Sequence, residues 1–164
     1  MKDYKAALQS KQRALAIRIK LFGEEHESTA DSYRGLGVTQ HQMKDYKAAL
    51  QCKQRALAIR IKLFGEEHES TADSYFNLGV AQHQTKDYKA ALQSHQRALA
   101  IRIKLFGEEH ESTADSCREL GVQQQQQHKL YLHDYNYVVT VLQKLQHKKK
   151  ENKQTNHNND NAMQ

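Results

Sequence analysis

The chain repeats itself at a fixed interval. Nearly identical copies begin at Met1, Met43 and Thr85, which gives a period of 42 residues. The text KDYKAALQCKQRALAIRIKLFGEEHESTADSYFNLGVAQHQ, residues 44–84, represents all three copies. A fixed period between about 20 and 50 residues marks a stacked repeat array, in which each unit buries its apolar face only against its neighbours. The period therefore predicts an array of like units rather than a domain with one central core.

Each unit carries two helical patterns joined by a short acidic connector. The first, helix B, is predicted over 44–63 of the second copy, because its apolar residues recur at steps of three and four. Asp45 is its predicted N-cap, and Gly65 is placed to end it. The second, helix A, is predicted over 70–84, opened by Ser70 or its neighbour Thr71. Each unit is thus a helical hairpin.

Four polar or flexible residues stand out within these two patterns. Lys53 interrupts the apolar row of helix B. Arg60 and Lys62 lie in its last turn, where cations suit the negative end of the helix dipole. Gly79 lies inside helix A and costs about 1 kcal/mol relative to Ala. We expect a facing helix to approach closely there, since glycine has no Cβ.

The chain divides into three parts. Residues 1–126 hold three units that each start at helix B, and the absence of a preceding helix A suggests either a longer array or another segment that covers this side. The five glutamines 123–127 either extend the last helix A or form an aggregation tract. Residues 127–147 predict a degenerate capping helix, from apolar steps of three and four. Residues 148–164 are basic and Asn-rich, and are predicted to be disordered.

One family resembles this pattern. Tyr75, Leu78 and Gly79, followed by Ala91 and Ala98 in the next helix B, resemble the tetratricopeptide repeat. The 42-residue period is similar to the long variant found in kinesin light chains and nephrocystin-like proteins. The resemblance implies an all-α fold, a right-handed α-solenoid of stacked antiparallel helix pairs with about seven helices. It also implies a non-enzymatic scaffold that binds other proteins.

The resemblance places a binding groove on the A helices. Its implied ligand is a peptide or a partner helix. The groove positions carried over from the family occupy equivalent places in the three copies. They are Asp31, Arg34, Val38 and His41 in the first copy, Asp73, Phe76, Asn77, Val80 and His83 in the second, and Asp115, Arg118, Val122 and Gln125 in the third.

The groove residues indicate what kind of peptide would fit. Arg34 and Arg118 would flank Phe76, which suits an acidic, partly apolar ligand. Asn77 matches a family residue that holds the peptide backbone, but Gly35 and Glu119 replace it in the other copies. The copies differ mostly within helix A. Either the groove has been varied on a constant scaffold, or recent duplications have collected random changes.

No residue pattern predicts catalysis, a cofactor or a metal. The GEEH connectors, which end at His26, His68 and His110, lack HExxH spacing and are interpreted as solvated loops. His41 and His83 on the groove face could hydrogen-bond a carboxylate ligand, but they are expected to be solvent-facing side chains. Cys117 replaces a tyrosine of the sister copies and is expected in the core. The two cysteines lack CxxC spacing and are interpreted as reduced thiols, which favours a cytoplasmic location.

Charge and hydropathy narrow the possible partners. The net charge is +6, and half of it lies from Gln127 onward, so no basic stripe for nucleic acid follows the repeats. No apolar run is long enough to cross a membrane. Two alternatives to a peptide-binding scaffold stay open. One is a sensor or regulatory segment of a larger nucleotide-driven protein, and the other is nucleic-acid binding through residues 148–164.

Overall fold

The computed structural model describes residues 3–125, and it places them in six α-helices. No β-strand occurs among residues 3–125. The B helices of the three copies are α1 (Tyr4–Phe22), α3 (Tyr46–Phe64) and α5 (Tyr88–Phe106). The A helices are α2 (Glu27–Gln42), α4 (Glu69–Gln84) and α6 (111–125). The predicted all-α architecture is confirmed; the predicted seventh, capping helix and the basic tail lie outside the described residues.

The B helices begin and end where the sequence predicts. The Asp45 side chain accepts a hydrogen bond from the Ala48 amide at 3.1 Å, and Asp3 and Asp87 do the same for α1 and α5. Such a cap satisfies one of the amides that a helix start leaves without a partner. Gly65 ends α3 with a positive φ of 84°, and its amide donates to Ile61. Both predicted caps are confirmed.

The A helices begin one residue earlier than predicted. The N-cap of α4 is His68, not Ser70 or Thr71, and its Nδ1 accepts from the Ser70 amide at 3.1 Å. The His68 ring also stacks on Phe64 at 4.5 Å between centroids. The connector histidine is therefore a structural cap that joins the end of one helix to the start of the next. The sequence pattern did not predict a histidine N-cap, because imidazole is an uncommon capping group.

The turn from helix A into the next helix B uses a left-handed lysine. Lys44 and Lys86 adopt φ values of 64° and 66°, a region that residues other than glycine seldom occupy. The amides that follow bond back to the preceding helix: Asp45 donates to Gln40, and Asp87 donates to Gln82. These bonds satisfy carbonyls that the helix end exposes, which offsets the backbone cost.

Small residues let the helices approach one another closely. Ala30, Ala49, Ala72 and Ala91 are fully buried where neighbouring helices meet. A Cβ built on Gly79 would lie 2.6 Å from Nε2 of His95 on α5, so the predicted close approach is confirmed. Each helix packs on the next along the chain, and each hairpin packs on its neighbour. The core is therefore a row of thin interfaces, as stacked repeats require.

Residues 1–124 form one compact unit, and residues 125–164 form a second. The array described below belongs to the first unit.

Candidate functional site

The A-helix face holds the predicted groove positions, and none of them is fully buried. Arg34 and Val38 of α2 are exposed, as are Arg118 and Val122 of α6. The α4 groove residues between them, from Asp73 to His83, are half-buried. Asp31, His41 and Asp115 are accessible to differing degrees, and Gln125, which belongs to the second unit, is exposed. The predicted row is thus accessible, although several of its members also contact neighbouring helices.

Two predicted groove aspartates tie consecutive repeats together. Asp31 of α2 accepts a hydrogen bond from the Arg60 guanidinium of α3 at 2.8 Å. Asp73 of α4 accepts one from Arg102 of α5 at 2.6 Å. Both arginines are more than nine-tenths buried. The interpretation of Arg60 as a cation for the helix dipole was wrong, because its side chain turns into the array instead.

The same arginines also reach forward to the next A helix. Arg60 donates to Ser74 Oγ at 2.8 Å and to the Ser70 carbonyl at 3.3 Å, both on α4. Its Nε is buried and has no partner among the described residues. Each of these guanidiniums therefore links three helices in a row. Asp and Arg recur at the same spacing in every copy, and this pattern could have predicted the bridge. It was missed because each helix was considered by itself.

Phe76 contacts a different arginine from those predicted to flank it. Its ring lies edge-on to His95, with centroids 5.3 Å apart, and the Arg102 guanidinium lies 5.0 Å from its centroid. Arg34 instead pairs with Asp31 of its own helix at 3.5 Å, and Arg118 pairs with Asp115 at 2.8 Å. Phe76 is half-buried, so part of its surface remains accessible.

The polar position that interrupts the apolar row of helix B lies between the helices. Lys11, Lys53 and His95 occupy it in the three copies. Lys11 donates to Thr39 Oγ1 at 2.7 Å and to the Gly35 carbonyl at 3.0 Å. His95 is fully buried, and both of its ring nitrogens lack a hydrogen-bond partner among the described residues. Burial lowers the pKa of His95, Glu119 at 4.0 Å opposes this, and His83 adds to it.

Lys53 is the unusual member of this row. It is 7% exposed, and burial lowers the pKa of its ammonium group. Within residues 3–125 it has no hydrogen bond and no ion pair. It lines a small pocket on the A-helix face, between α2, α3 and α4. The other lining residues are Arg34, Ala56, Arg60, Ser74 and Asn77.

Asn77 and the groove histidines make contacts that the sequence did not indicate. The Asn77 side chain donates to the Asp73 carbonyl of its own helix at 2.8 Å. His41 lies edge-on to Tyr46 at 5.3 Å, and His83 to Tyr88 at 5.2 Å. The expectation that these histidines face solvent was wrong, since each packs against the first residue of the next helix B.

Among residues 3–125 no three potential metal-ligating side chains come together. Cys52 and Cys117 are free thiols. Cys117 is exposed, so the expectation of a core position was wrong. None of the helices described is long and apolar enough to span a bilayer.

The repeats match a known family model. The tetratricopeptide repeat model matches residues 1–62 and 41–104, which together cover more than half of the chain. The chain belongs to the tetratricopeptide repeat family. Comparison with curated proteins found no match.

Solved structures show that this tetratricopeptide array resembles those of kinesin light chains. BtubC (BKLC) from P. vanneervenii is 27% identical, with a TM-score of 0.67 over 73% of this chain and 48% of its own. A putative kinesin light chain from Podosopora anserina with nearly identical TPR-like repeats is 24% identical, with a TM-score of 0.68 over 73% and 57%. The chain thus spans about half the length of these proteins. The predicted right-handed α-solenoid is confirmed by these neighbours.

Proposed function

We propose that the array is a non-enzymatic scaffold that binds a peptide or a partner helix along its A-helix face. Tetratricopeptide repeats in general mediate contacts between proteins. The observation that carries the proposal is that the copies differ mainly within the A helices, at partly accessible positions and at the buried position of Thr39, Ala81 and Gln123. Residues 33–35, 75–77 and 117–119 change from copy to copy, while the connectors and nearly all of the B helices stay the same.

The composition of the face favours an acidic ligand with at least one apolar side chain. Arg34 and Arg118 are exposed, with side-chain exposures of 52% and 77%, and each is bonded only to an aspartate of its own helix. Val38, Val122 and part of Phe76 supply apolar surface beside them. Guanidinium groups bind carboxylates in charge-assisted pairs, and a half-exposed aromatic ring offers an anchor for an apolar residue.

A displayed library of random peptides tests the proposal, because selection from it does not require an identified ligand. We expect selected peptides to be enriched in acidic residues and to bind the R34A/R118A and F76A variants about tenfold or more weakly than the wild type. The matched control is R55A/R97A, which removes two exposed arginines from the B helices. Equal loss in both arginine pairs would indicate general electrostatic attraction, and no loss in any groove variant would reject this face.

A second candidate is the regulatory one. The structural similarity of this array to BtubC (BKLC) and to a putative kinesin light chain supports this second candidate. In that case the repeats would act as a sensor segment of a larger nucleotide-driven protein. A transcript that continues upstream into a phosphate-binding loop would support this candidate, and a transcript that encodes only this array would reject it.

We also propose a cytoplasmic location. The two free cysteines support it, because intracellular thiols are kept reduced. Fluorescence of a tagged full chain tests this location, and accumulation in a secretory compartment would contradict it.

A further inference from the structure

The described array has a B helix at one end and an A helix at the other. Inside the array, α3 packs on α2 and α5 packs on α4, so each of these A helices receives the B helix that follows it. Among residues 3–125 no A helix precedes α1 and no B helix follows α6. Because the copies are nearly identical in sequence, the two internal interfaces show which residues a further contact of this kind would use.

The apolar face of α1 is exposed where the equivalent residues of α3 and α5 are buried. Ile17 is 58% exposed, whereas Ile59 and Ile101 at the same position are each 8% exposed. Leu21 and Phe22 at the end of α1 are also more than half exposed. A cluster of exposed apolar side chains marks an interaction surface. Inside the array such a surface is covered by the preceding A helix.

The matching face of α6 is exposed as well. Ala30 of α2 and Ala72 of α4 are fully buried, whereas Ala114 at the same position of α6 is exposed. Tyr75 of α4 is half-buried, whereas the equivalent Cys117 is exposed. The face that receives a B helix in the first two copies is therefore accessible on α6.

The aspartate–arginine bridge is half complete at each end. Between α4 and α5 it joins Asp73 to Arg102 at 2.6 Å, and the interface of α2 with α3 has the same bridge. Among the described residues, the equivalent Asp115 of α6 pairs only with Arg118 of its own helix. Arg18 of α1 has no carboxylate partner among them. The two ends thus carry the two halves of one bridge, with opposite charges.

Exposed charges at the edge of the interface follow the same rule. Lys104 of α5 pairs with Glu67 of the preceding connector, and Arg97 pairs with Glu66. Their equivalents at the two ends are Arg13 and Lys20 on α1, and Glu108 and Glu109 in the third connector. These four side chains form no ion pair among residues 3–125. One end is therefore basic where the other is acidic.

We propose that α1 of one copy of this chain packs on α6 of a second copy, so that copies assemble head to tail. The contact repeats the internal interface, with Arg18 of one copy bonded to Asp115 of the next. The two surfaces differ, so the contact is heterologous, and assembly continues beyond a dimer unless the copies close into a ring. The inference goes beyond the proposed function and requires no peptide ligand.

Sedimentation velocity of the full chain measures this assembly. We expect the weight-average mass to rise with concentration and to reach twice that of one chain by about 500 µM, as a sub-millimolar dissociation constant requires. A mass that stays at one chain over this range overturns the proposal. It is also the result expected if residues 126–164 of the same chain cover α6.

Reversal of the exposed charges tests which faces meet. R13E/K20E makes the α1 end acidic, and E108K/E109K makes the other end basic. At low ionic strength each variant alone should assemble about tenfold or more weakly, because like charges then face each other. An equimolar mixture should recover to within about threefold of the wild type, since every contact between the two variants joins opposite charges.

The matched control is K47E/K89E, which makes the same change in net charge at exposed lysines of α3 and α5. It should assemble within about twofold of the wild type. The proposal is overturned if this control is weakened as much as R13E/K20E. It is also overturned if E108K/E109K has no effect, as pairing of α1 with α1 would give, or if the mixture does not recover. Circular dichroism checks that each variant is folded.

Cross-linking through Cys117 provides a positional test. Tyr75, its equivalent in α4, lines a cavity with Ala100 of α5, and the residue of α1 that corresponds to Ala100 is Ala16. A short bismaleimide should therefore join Cys117 to the cysteine of A16C in another copy. We expect a ladder of dimers and longer products on a denaturing gel.

The cross-linking variants carry C52S, because serine occupies this position in the other two copies. A58C is the matched control, since Ala58 is the equivalent exposed residue of α3 and lies inside the array. It should give little product under the same conditions. Equal ladders for A16C and A58C would indicate random collisions and overturn the assigned contact.

Discussion

Asp31 on α2 accepts a hydrogen bond of 2.8 Å from Arg60 on α3, while the same guanidinium donates to Ser74 on α4 at 2.8 Å. One buried side chain thus joins the A helices of two successive repeats. Arg102 repeats the arrangement with Asp73 and Ser116. Arg18 makes only the forward contact, to Ser32 at 2.7 Å, and has no carboxylate partner among the described residues.

These differences predict a graded loss of stability when each arginine is replaced by alanine. Arg60→Ala and Arg102→Ala should each lower the free energy of unfolding by about 2 to 3 kcal/mol, because buried acceptors lose a charged partner. Arg18→Ala should cost about half as much, since it breaks fewer bonds in a more exposed place.

Urea denaturation of the three variants measures this series, with Arg97→Ala as the control. Arg97 is 62% exposed and pairs only with Glu66, so its loss should change stability by less than about 1 kcal/mol. Equal effects at Arg97 and Arg60 would contradict a structural role for the bridge.

Gly79 and Gly121 occupy equivalent positions but should respond oppositely to alanine. A Cβ at Gly79 would meet the His95 ring at 2.6 Å, and that ring is fully buried, so overpacking should cost about 1 to 3 kcal/mol. Among residues 3–125 a Cβ at Gly121 meets nothing within 4 Å, so alanine should stabilise the helix by up to about 1 kcal/mol. Thermal unfolding of both variants distinguishes them. Recovery of stability in the double variant G79A/H95A would identify the ring as the cause.

His95 should make the array less stable as the pH falls. Burial lowers the pKa of His95 in the folded chain, so in mildly acidic solution the unfolded chain binds the proton more readily. This contribution is fully present above the unfolded value of about 6.5 and is lost as the pH falls through the lower folded value. Denaturation curves between neutral and acidic pH should show a steeper loss for the wild type than for His95→Leu. If the free energy of unfolding fell equally with pH in the two proteins, His95 would not be the cause.

The left-handed lysines predict stabilisation by glycine. Lys44 and Lys86 have φ values of 64° and 66° and exposed side chains, so Lys86→Gly removes strain without removing buried surface. We expect a gain of up to about 1 kcal/mol. Lys89→Gly is the matched control, because this exposed lysine lies inside α5 and glycine there should cost about 1 kcal/mol. A loss of stability at both positions would contradict the assigned backbone strain.

The repeat period and a few capping residues were enough to predict stacked helical hairpins, and the family resemblance implied the right-handed solenoid. A 42-residue unit with one acidic connector can bury its apolar positions only as a stacked hairpin, and Asp45 and Gly65 set the ends of α3 as expected. Gly79 indicated a close helix contact, and His95 provides it. These features are local or periodic, so a single sequence displays them.

The buried cations were harder to predict. Arg60 lies near the C-terminal end of α3, and only the neighbouring hairpin decides whether its side chain faces solvent or turns inward. Lys53 resembled a polar break in an apolar row because its burial depends on three helices at once. The predicted groove aspartates Asp31 and Asp73 bond to arginines of the next repeat, and these bonds depend on stacking geometry. The missed arginine bridges exist only between units.

Because Arg60 and Arg102 each hold three consecutive helices, a single hairpin has no boundary at which it can separate without breaking a bridge. Under mechanical tension the chain should therefore lengthen in steps larger than one unit, and one unit of 42 residues corresponds to about 150 Å of extended polypeptide. An array built from near-copies would then unfold under load in groups of neighbouring units rather than one unit at a time.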